Sequence, residues 1–422
     1  MEIKVDKLLH RNVIQTVREL VHDSPVVLLE GPRSVGKSII LAALAREFGV
    51  SVIDLDDLNT RNAVAADPDS AVISSGTICI DEYQKVPRVL DVMKAELNKG
   101  ATPGRFILAG STRYDALPLQ SEALTGRLQR VTIYPLSQGE IAGEVEGFLA
   151  TALTDPSILV TNQLSTSSRT AYIERVCAGG FPLALRSTTV RAQRNWFDNY
   201  IRLSLERDVL ALANLRQKDK LNDLLKRVVG QTGQLLNVSA AGEPLGLTKQ
   251  TTESYVALLE KLFLVFRLDA WGTTLYSRAV KKPKIHVVDS GLGARLLRLT
   301  VNKINPQHPT AMSEFGHLLE SFTVSELLRQ SSWSGNVADV GHFRTRDGEE
   351  VDLVIENDEG GIVGFEVKAS QSISGEEFSG LRQLKKLAGP NFVGGIVLYL
   401  GTRSYTYAPQ LHVMPLDRLW AH

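Results

Sequence analysis

The chain has 422 residues, 43% hydrophobic and 22% charged, which excludes a disordered chain, a coiled coil and a disulfide-stapled miniprotein. At roughly 150 residues per domain it holds two to three domains. Lys plus Arg and Asp plus Glu both number 47, so nothing in the net charge draws the whole chain to nucleic acid or membrane, and any basic surface is local.

The N-terminus, MEIKVDKLLHRN, carries charges where a signal peptide needs an apolar core, and no later run approaches the ~20 apolar residues of a membrane span. With only Cys79 and Cys177, far apart in sequence, the expectation is a cytoplasmic protein in a reducing compartment, with no membrane partner. From Val26 to about Glu140, short apolar runs (VVLLE, SVID, TICID, FILAG) alternate with helical patterns. That is the signature of an α/β module with a parallel sheet.

Between the first run and the helical pattern SIILAALAREF stands GPRSVGKS, a complete P-loop pattern in the context it requires. Gly31, Pro32, Arg33, Ser34, Val35, Gly36, Lys37, Ser38 and Ile39 are the expected nucleotide cradle. The glycines let backbone N–H groups close around a phosphate, Lys37 reaches the β- and γ-phosphates, and Ser38 ligates Mg²⁺. Asp81, ending TICID, is the expected second Mg²⁺ partner, and Glu82 the group that polarises the attacking water. Ser111, after FILAG, is the expected polar sensor of the γ-phosphate. In LTGRLQR, Arg127 is the first candidate for an arginine acting on a neighbour's ATP, with Arg113 and Arg130 behind it, and such a role requires at least a homodimer. ATP and Mg²⁺ are therefore the expected cofactors.

The run of motifs GPRSVGKS, DEYQKVP, FILAGSTR, LTGRL, YPLSQGE and AGGFP resembles the AAA-type ATPases of the archaeal-ATPase family. WGTT, KKPKIHVVDSGLGARLL, GHLLESFTVSELL and EEVDLVIE followed by GFEVKAS resemble that family's C-terminal domain. The resemblance covers most of the chain and implies an ATPase core, a winged helix and a nuclease-like end. The expected domains are an ATPase domain over 1–145, a linker with the GGFP segment over 146–185, a helical and winged-helix module over 186–282, and a restriction-endonuclease-like domain over 283–422. Within the linker, 147–170 is rich in Ser, Thr and Asn and reads as a mobile connection.

The middle module carries 16 Lys/Arg against 9 Asp/Glu, whereas residues 1–145 carry 16 against 19. Its stretch LLNVSAAGEPLGLTKQTTESYVALLEKLFLVFRLD reads as a short helix, a turn at Gly246, a helix capped by Thr248 and an apolar strand, the layout of a winged helix-turn-helix. Tyr255, Leu258, Leu259 and Leu262 share one face, and Lys249, Gln250, Thr252 and Glu253 are expected to be exposed. Lys249, Gln250 and Thr252 are the candidate DNA contacts. Trp271 and Tyr276 read as core.

The last third returns to strands: HVVD, VDLVIE, IVGFEVK and GGIVLYL. Alternation sets Asp352, Val354 and Glu356 on one face and Val351, Leu353 and Ile355 on the other. Asp352 with Glu366 and Lys368 on the next strand, and Glu320 on a preceding helix, is similar to the PD-(D/E)xK phosphodiesterase core. The expectation is a second Mg²⁺ site at Glu320, Asp352 and Glu366, with Lys368 beside the scissile phosphate. Gln383 and Lys386 on the following helix are either phosphate contacts or a solvated face. Three readings stay open: an ATP-driven switch acting on nucleic acid, an ATP-gated Mg²⁺-dependent DNA endonuclease, and an oligomeric signalling or antitoxin-like ATPase whose C-terminal half binds protein.

Overall fold

The computed structural model describes residues 10–114, 124–208, 218–274 and 282–421. Tyr276 lies outside them. The first sheet contains β1 (Val26–Glu30), β2 (Val52–Asp54), β3 (Ile78–Asp81), β4 (Phe106–Gly110) and β5 (Leu128–Thr132), in the order β2-β3-β4-β1-β5 and parallel throughout. Every residue of β1, β3 and β4 is buried, as continuous apolar runs require when both faces of a parallel sheet are covered. The sequence LQRVT of β5 gave no strand signal. It is an edge strand, and only Val131 of it is buried.

The described residues of the middle region are mainly helical up to the helix Lys249–Lys261. It carries a small antiparallel sheet of β6 (Gln234–Leu235), β7 (Val265–Leu268) and β8 (Lys284–Val287), in the order β6-β8-β7. Of the run HVVD, expected among the C-terminal strands, His286 and Val287 belong to β8. It completes the middle sheet instead, because VFRL supplies an antiparallel partner in register from Val265–Val287 to Leu268–Lys284.

The C-terminal sheet contains β9 (Asp339–Arg344), β10 (Glu350–Glu356), β11 (Ile362–Lys368), β12 (Phe392–Tyr399), β13 (Tyr405–Ala408) and β14 (Leu411–Pro415), in the order β13-β14-β12-β11-β10-β9. β10 pairs antiparallel with β9 and β11, whereas β11, β12 and β14 run parallel. The 26-residue helix Pro309–Ser334 and the helix Ser379–Ala388 both pack on this sheet.

The stretch read as a mobile linker is anchored at its ends. The helix Phe148–Thr154 buries Phe148, Leu149 and Leu153, and the helix Arg169–Ala178 that follows the stretch buries Tyr172, Ile173 and Val176, while residues 157–170 are half-buried or exposed. Several of its polar residues are caps and ties. Ser168 caps its helix, Asp155 caps the turn Pro156–Leu159, and the Ser165 hydroxyl donates to Asp417 near the C-terminus at 2.5 Å. The glycine pair of AGGFP has a steric cause, since a Cβ on Gly180 would stand 2.2 Å from the carbonyl oxygen of Leu136. No helix among the described residues is long and apolar enough to cross a membrane.

Candidate nucleotide site and acidic cluster

β1 ends at Glu30, and the chain turns at once into the loop Gly31–Gly36. Three of its residues have positive φ: Gly31 (151°), Ser34 (63°) and Gly36 (98°). A Cβ on Gly31 would stand 2.3 Å from the Ile133 carbonyl oxygen, so only glycine passes there. Gly36 then opens the helix Lys37–Glu47, whose first N–H groups and dipole face the loop. The Lys37 ammonium is buried and lies over the loop's own carbonyls, 2.9 Å from Gly31 and 2.6 Å from Pro32. Val35 is fully buried beneath the loop, while Ser34, Ser38 and Ile39 are exposed and Arg33 is half-buried.

Asp81 and Glu82 stand at the C-terminal end of β3, two strands from β1, and both are buried. The Asp81 carboxylate accepts the Glu82 N–H at 2.9 Å, and Glu82 holds φ 52°, a left-handed conformation that aims its side chain across the sheet end. The Ser111 hydroxyl, beyond β4, donates to Glu82 Oε2 at 3.1 Å, and the Gln84 amide donates to both. Sequence patterns placed Asp81, Glu82 and Ser111 but missed Gln84, whose role depends on a partner 27 residues away.

The site fits a nucleotide with a hard cation. Backbone N–H groups and one lysine meet phosphate chemistry, and a hydroxyl and a carboxylate meet cation chemistry. The hydroxyl of Thr112 and the amide oxygen of Gln84 are buried beside these groups without a hydrogen-bond partner.

Arg127 is placed differently. Its carbonyl accepts the N–H of Val26 at the start of β1, and its guanidinium donates to Asn98 at 2.8 Å. The five-residue β1 therefore separates it from its own P-loop by roughly 13 Å. Arg130 lies in β5 opposite Leu28. Arg113 is half-buried and turned toward the middle module. Its N–H donates to the Lys261 carbonyl at 3.3 Å and its guanidinium stacks over the Phe263 ring at 5.0 Å, so the segment after Ser111 touches the end of the helix Lys249–Lys261.

A second polar link starts beneath the loop. The buried Arg11 donates to the Val35 carbonyl (2.7 Å), the Tyr134 carbonyl (2.8 Å) and Glu140 (3.0 Å). Two residues from Glu140, the N–H of Gln138 donates to Glu326 on the helix Pro309–Ser334 at 2.8 Å. Glu326 pairs with Arg329, and Arg329 lies 3.9 Å from Asp289, which accepts the Gly180 N–H at 2.6 Å. Nothing in the local sequence signals Arg11, because its partners lie 24 to 129 residues away.

In the middle module, Lys249 and Gln250 are exposed at the helix start, but Thr252 is fully buried and its hydroxyl donates to the Thr248 carbonyl at 2.9 Å. Thr252 precedes Tyr255 and Val256 by three and four residues, so it belongs to their buried face, where it packs on Gly242. It is therefore not an exposed candidate contact. Trp271 is buried, as expected.

At the C-terminal end, β10 carries an irregularity between Val351 and Val354. As a result Val351 and Val354 enter one core cluster while Leu353 and Ile355 enter another, which corrects the strict alternation expected here. Asp352, inside the irregularity, is turned toward Lys284. The Lys284 ammonium, on β8, is 1% exposed and donates to Glu320 (2.6 Å), Asp352 (3.0 Å) and Glu350. The second Asp352 oxygen accepts the Val367 N–H at 2.9 Å. Burial opposes charge on Lys284, but Asp352, Glu320 and Glu350 outweigh it and hold the ammonium well above its usual range. Burial and the charge of Asp352 raise Glu320.

Glu366 pairs with Lys368 at 2.6 Å, and its other oxygen is buried without a partner. Burial, then the charge of Asp352, pushes its carboxyl up to about 8, against the pull of Lys368. The Lys284 ammonium stands among Glu320, Glu350 and Asp352, where the sequence led us to expect a metal ion. Gln383 donates to Glu349 at 3.1 Å, and Lys386 is exposed.

Residues 23–142 match a family described as an AAA domain. The N-terminal module is an AAA-like, ATP-binding P-loop domain. Behind this ATPase domain, residues 169–303 and 315–419 match two families described as domains of unknown function, DUF8612 and DUF4143. Uncharacterized proteins of Mycobacterium bovis and Mycobacterium tuberculosis are each 25% identical over 414 residues, covering 97% of this chain and 84% of theirs. Among solved structures, the chain is similar to a Walker-type ATPase of Pyrococcus abyssi, at 13% identity, 70% of this chain, 98% of that chain and a TM-score of 0.43. Another is a signal transduction ATPase with numerous domains and a tetratricopeptide repeat sensor from Pyrococcus horikoshii, at 12% identity, 79% of this chain, 50% of that chain and a TM-score of 0.25.

Proposed function

We propose that the chain is an ATP-hydrolysing switch whose nucleotide state is passed to a DNA-contacting middle module. The observation that carries the hydrolytic half is the convergence of Lys37, Asp81, Glu82 and Ser111 at one end of the parallel sheet, with Glu82 and Ser111 hydrogen-bonded to each other. Lys37 and the loop N–H groups hold the phosphates, Ser38 and Asp81 hold Mg²⁺, and Glu82 orients a water for in-line attack. Bound Mg²⁺ would neutralise charge on the phosphate oxygens. Ser111 reads the γ-phosphate, and Arg113, two residues on, carries that reading to Lys261 and Phe263. In its own chain Arg127 is at the wrong end of β1, so any work it does on ATP is done in a second copy.

The DNA half rests on the exposed Lys249 and Gln250 at the start of a helix beside a small antiparallel sheet, in a region with 16 basic and 9 acidic residues. Lys37→Ala lowers ATP turnover by roughly 10²–10³-fold. Turnover at the wild-type rate would remove the hydrolytic reading. Phosphate contacts make duplex affinity fall steeply with salt, by about 10³-fold between roughly 50 and 200 mM for half a dozen contacts. Affinity indifferent to salt would mark the partner as a protein.

A further inference from the structure

The acids of the C-terminal module surround a cation that the chain supplies itself. Lys284 belongs to the middle sheet, where β8 is the central strand, yet its side chain ends between the helix Pro309–Ser334 and β10 of the C-terminal sheet. An ammonium has three N–H donors and accepts nothing. Here three carboxylates, Glu320, Glu350 and Asp352, each provide one oxygen to it. Two of the remaining oxygens are also committed. Asp352 accepts from Val367 at 2.9 Å and Glu350 pairs with Arg344 at 2.7 Å.

A magnesium ion needs oxygen ligands at about 2.0–2.1 Å and usually keeps several waters. With the Lys284 ammonium only 1% exposed and bonded to one oxygen of each of the three acids, the centre of the cluster is already filled by a cation. We infer that the Lys284 ammonium is the resident cation of this cluster, so that the module binds no divalent metal at Glu320 and Asp352. These acids instead tie the middle sheet to the C-terminal sheet. The charges that look like a phosphodiesterase centre along the sequence thereby become a joint between two sheets. β8 also pairs with β7, which follows the helix Lys249–Lys261 after a short turn, so the joint lies next to the element that Arg113 touches.

The test is a Mn²⁺ titration of the full chain without nucleotide, read by loss of the free-ion electron paramagnetic resonance signal. The proteins are wild type, Asp352→Asn, Lys284→Met and the double variant Lys284→Met/Asp352→Asn. The expected result is the same Mn²⁺ binding by wild type and Asp352→Asn, with any weak occupancy at the P-loop common to both. Lys284→Met gains one saturable site, and the double variant loses it. A wild-type Mn²⁺ site that disappears in Asp352→Asn overturns the inference, as does a folded Lys284→Met that gains nothing. Should Lys284→Met fail to fold, the wild-type and Asp352→Asn pair still decides between the two outcomes. No step depends on ATP turnover, so an inactive P-loop and an occupied metal site give separate results.

Discussion

Glu82 is held by its surroundings as a residue whose job is at its tip. Its backbone is left-handed at φ 52°, a conformation a non-glycine residue adopts at a cost of order 1–3 kcal/mol, and Ser111 and Gln84 fix its carboxylate. Glu82→Gln is expected to keep nucleotide affinity while lowering single-turnover hydrolysis by about 10²–10⁴-fold, the range of a positioned general base. Equal losses in binding and turnover would show a structural role instead. A second carboxyl makes a pH prediction. Burial, then the charge of Glu326, pushes Glu146 up to about 8 from its ordinary 4.5, so between those values the folded state binds a proton that the unfolded state has lost. The contribution of Glu146 to stability is therefore full at low pH, falls as pH rises from about 4.5, and is lost by about 8. Glu146→Gln, which mimics the protonated form, should melt near wild type at pH 5 and progressively above it toward pH 9. Melting curves that shift in parallel at both pH values would refute this. At this scale the sequence showed what a local motif encodes: Gly31 to Ser38, Asp81, Glu82. It hid Arg11, Gln84 and Lys284 because each acts on a partner far along the chain. For Lys284 there was one readable sign, a lysine inside the otherwise buried run KIHV.

The strongly apolar strands and the capped helices were legible because each carries its cause locally. The Thr248 side chain accepts the Thr251 N–H at 3.1 Å, as its position before the helix Lys249–Lys261 implied. What failed was the orientation of side chains within elements. One irregularity in β10 broke the period of two that had assigned Asp352 its face, and one further turn of the buried helical stripe took Thr252 out of solvent. The edge strand β5 was missed because an edge needs less apolar content than a central strand. Thr252 gives an energetic test at this scale. A Cβ on Gly242 would already overlap the Thr252 hydroxyl, so the two helices meet with no slack. Thr252→Leu should therefore cost about 1–3 kcal/mol by overpacking in urea unfolding. Gln250→Ala, on the exposed face, should stay within about 0.5 kcal/mol. If the two variants unfold at the same urea concentration, the crossing is looser than the structure shows.

Across the whole molecule, one apolar core runs from Val27 and Leu29 under the P-loop sheet, through Leu259 and Val287, to Leu353 and Phe365 in the C-terminal sheet. This continuity was not legible, since the sequence suggested separate modules joined by a linker, and the burial of Phe148, Leu149, Tyr172 and Ile173 depends on surfaces distant in sequence. It gives a change at the γ-phosphate two physical exits. One is the buried series from Arg11 through Glu140 and Gln138 to Glu326 and Arg329. The other is the shorter contact of Arg113 with Lys261 and Phe263. A coupling claim needs an element whose state both ends bias, and under the proposed switch that element is the end of the helix Lys249–Lys261, which Arg113 touches. In a Glu82→Gln background, where ATP persists, adding ATP should slow amide exchange at Lys261–Leu264. Adding Arg113→Ala should abolish that slowing while leaving ATP affinity within about 3-fold, since Arg113 faces Phe263 rather than the phosphates. If exchange at the helix end still responds to ATP without Arg113, the signal travels through the Arg11 series, and Arg11→Met in the same background is then the variant that should silence it.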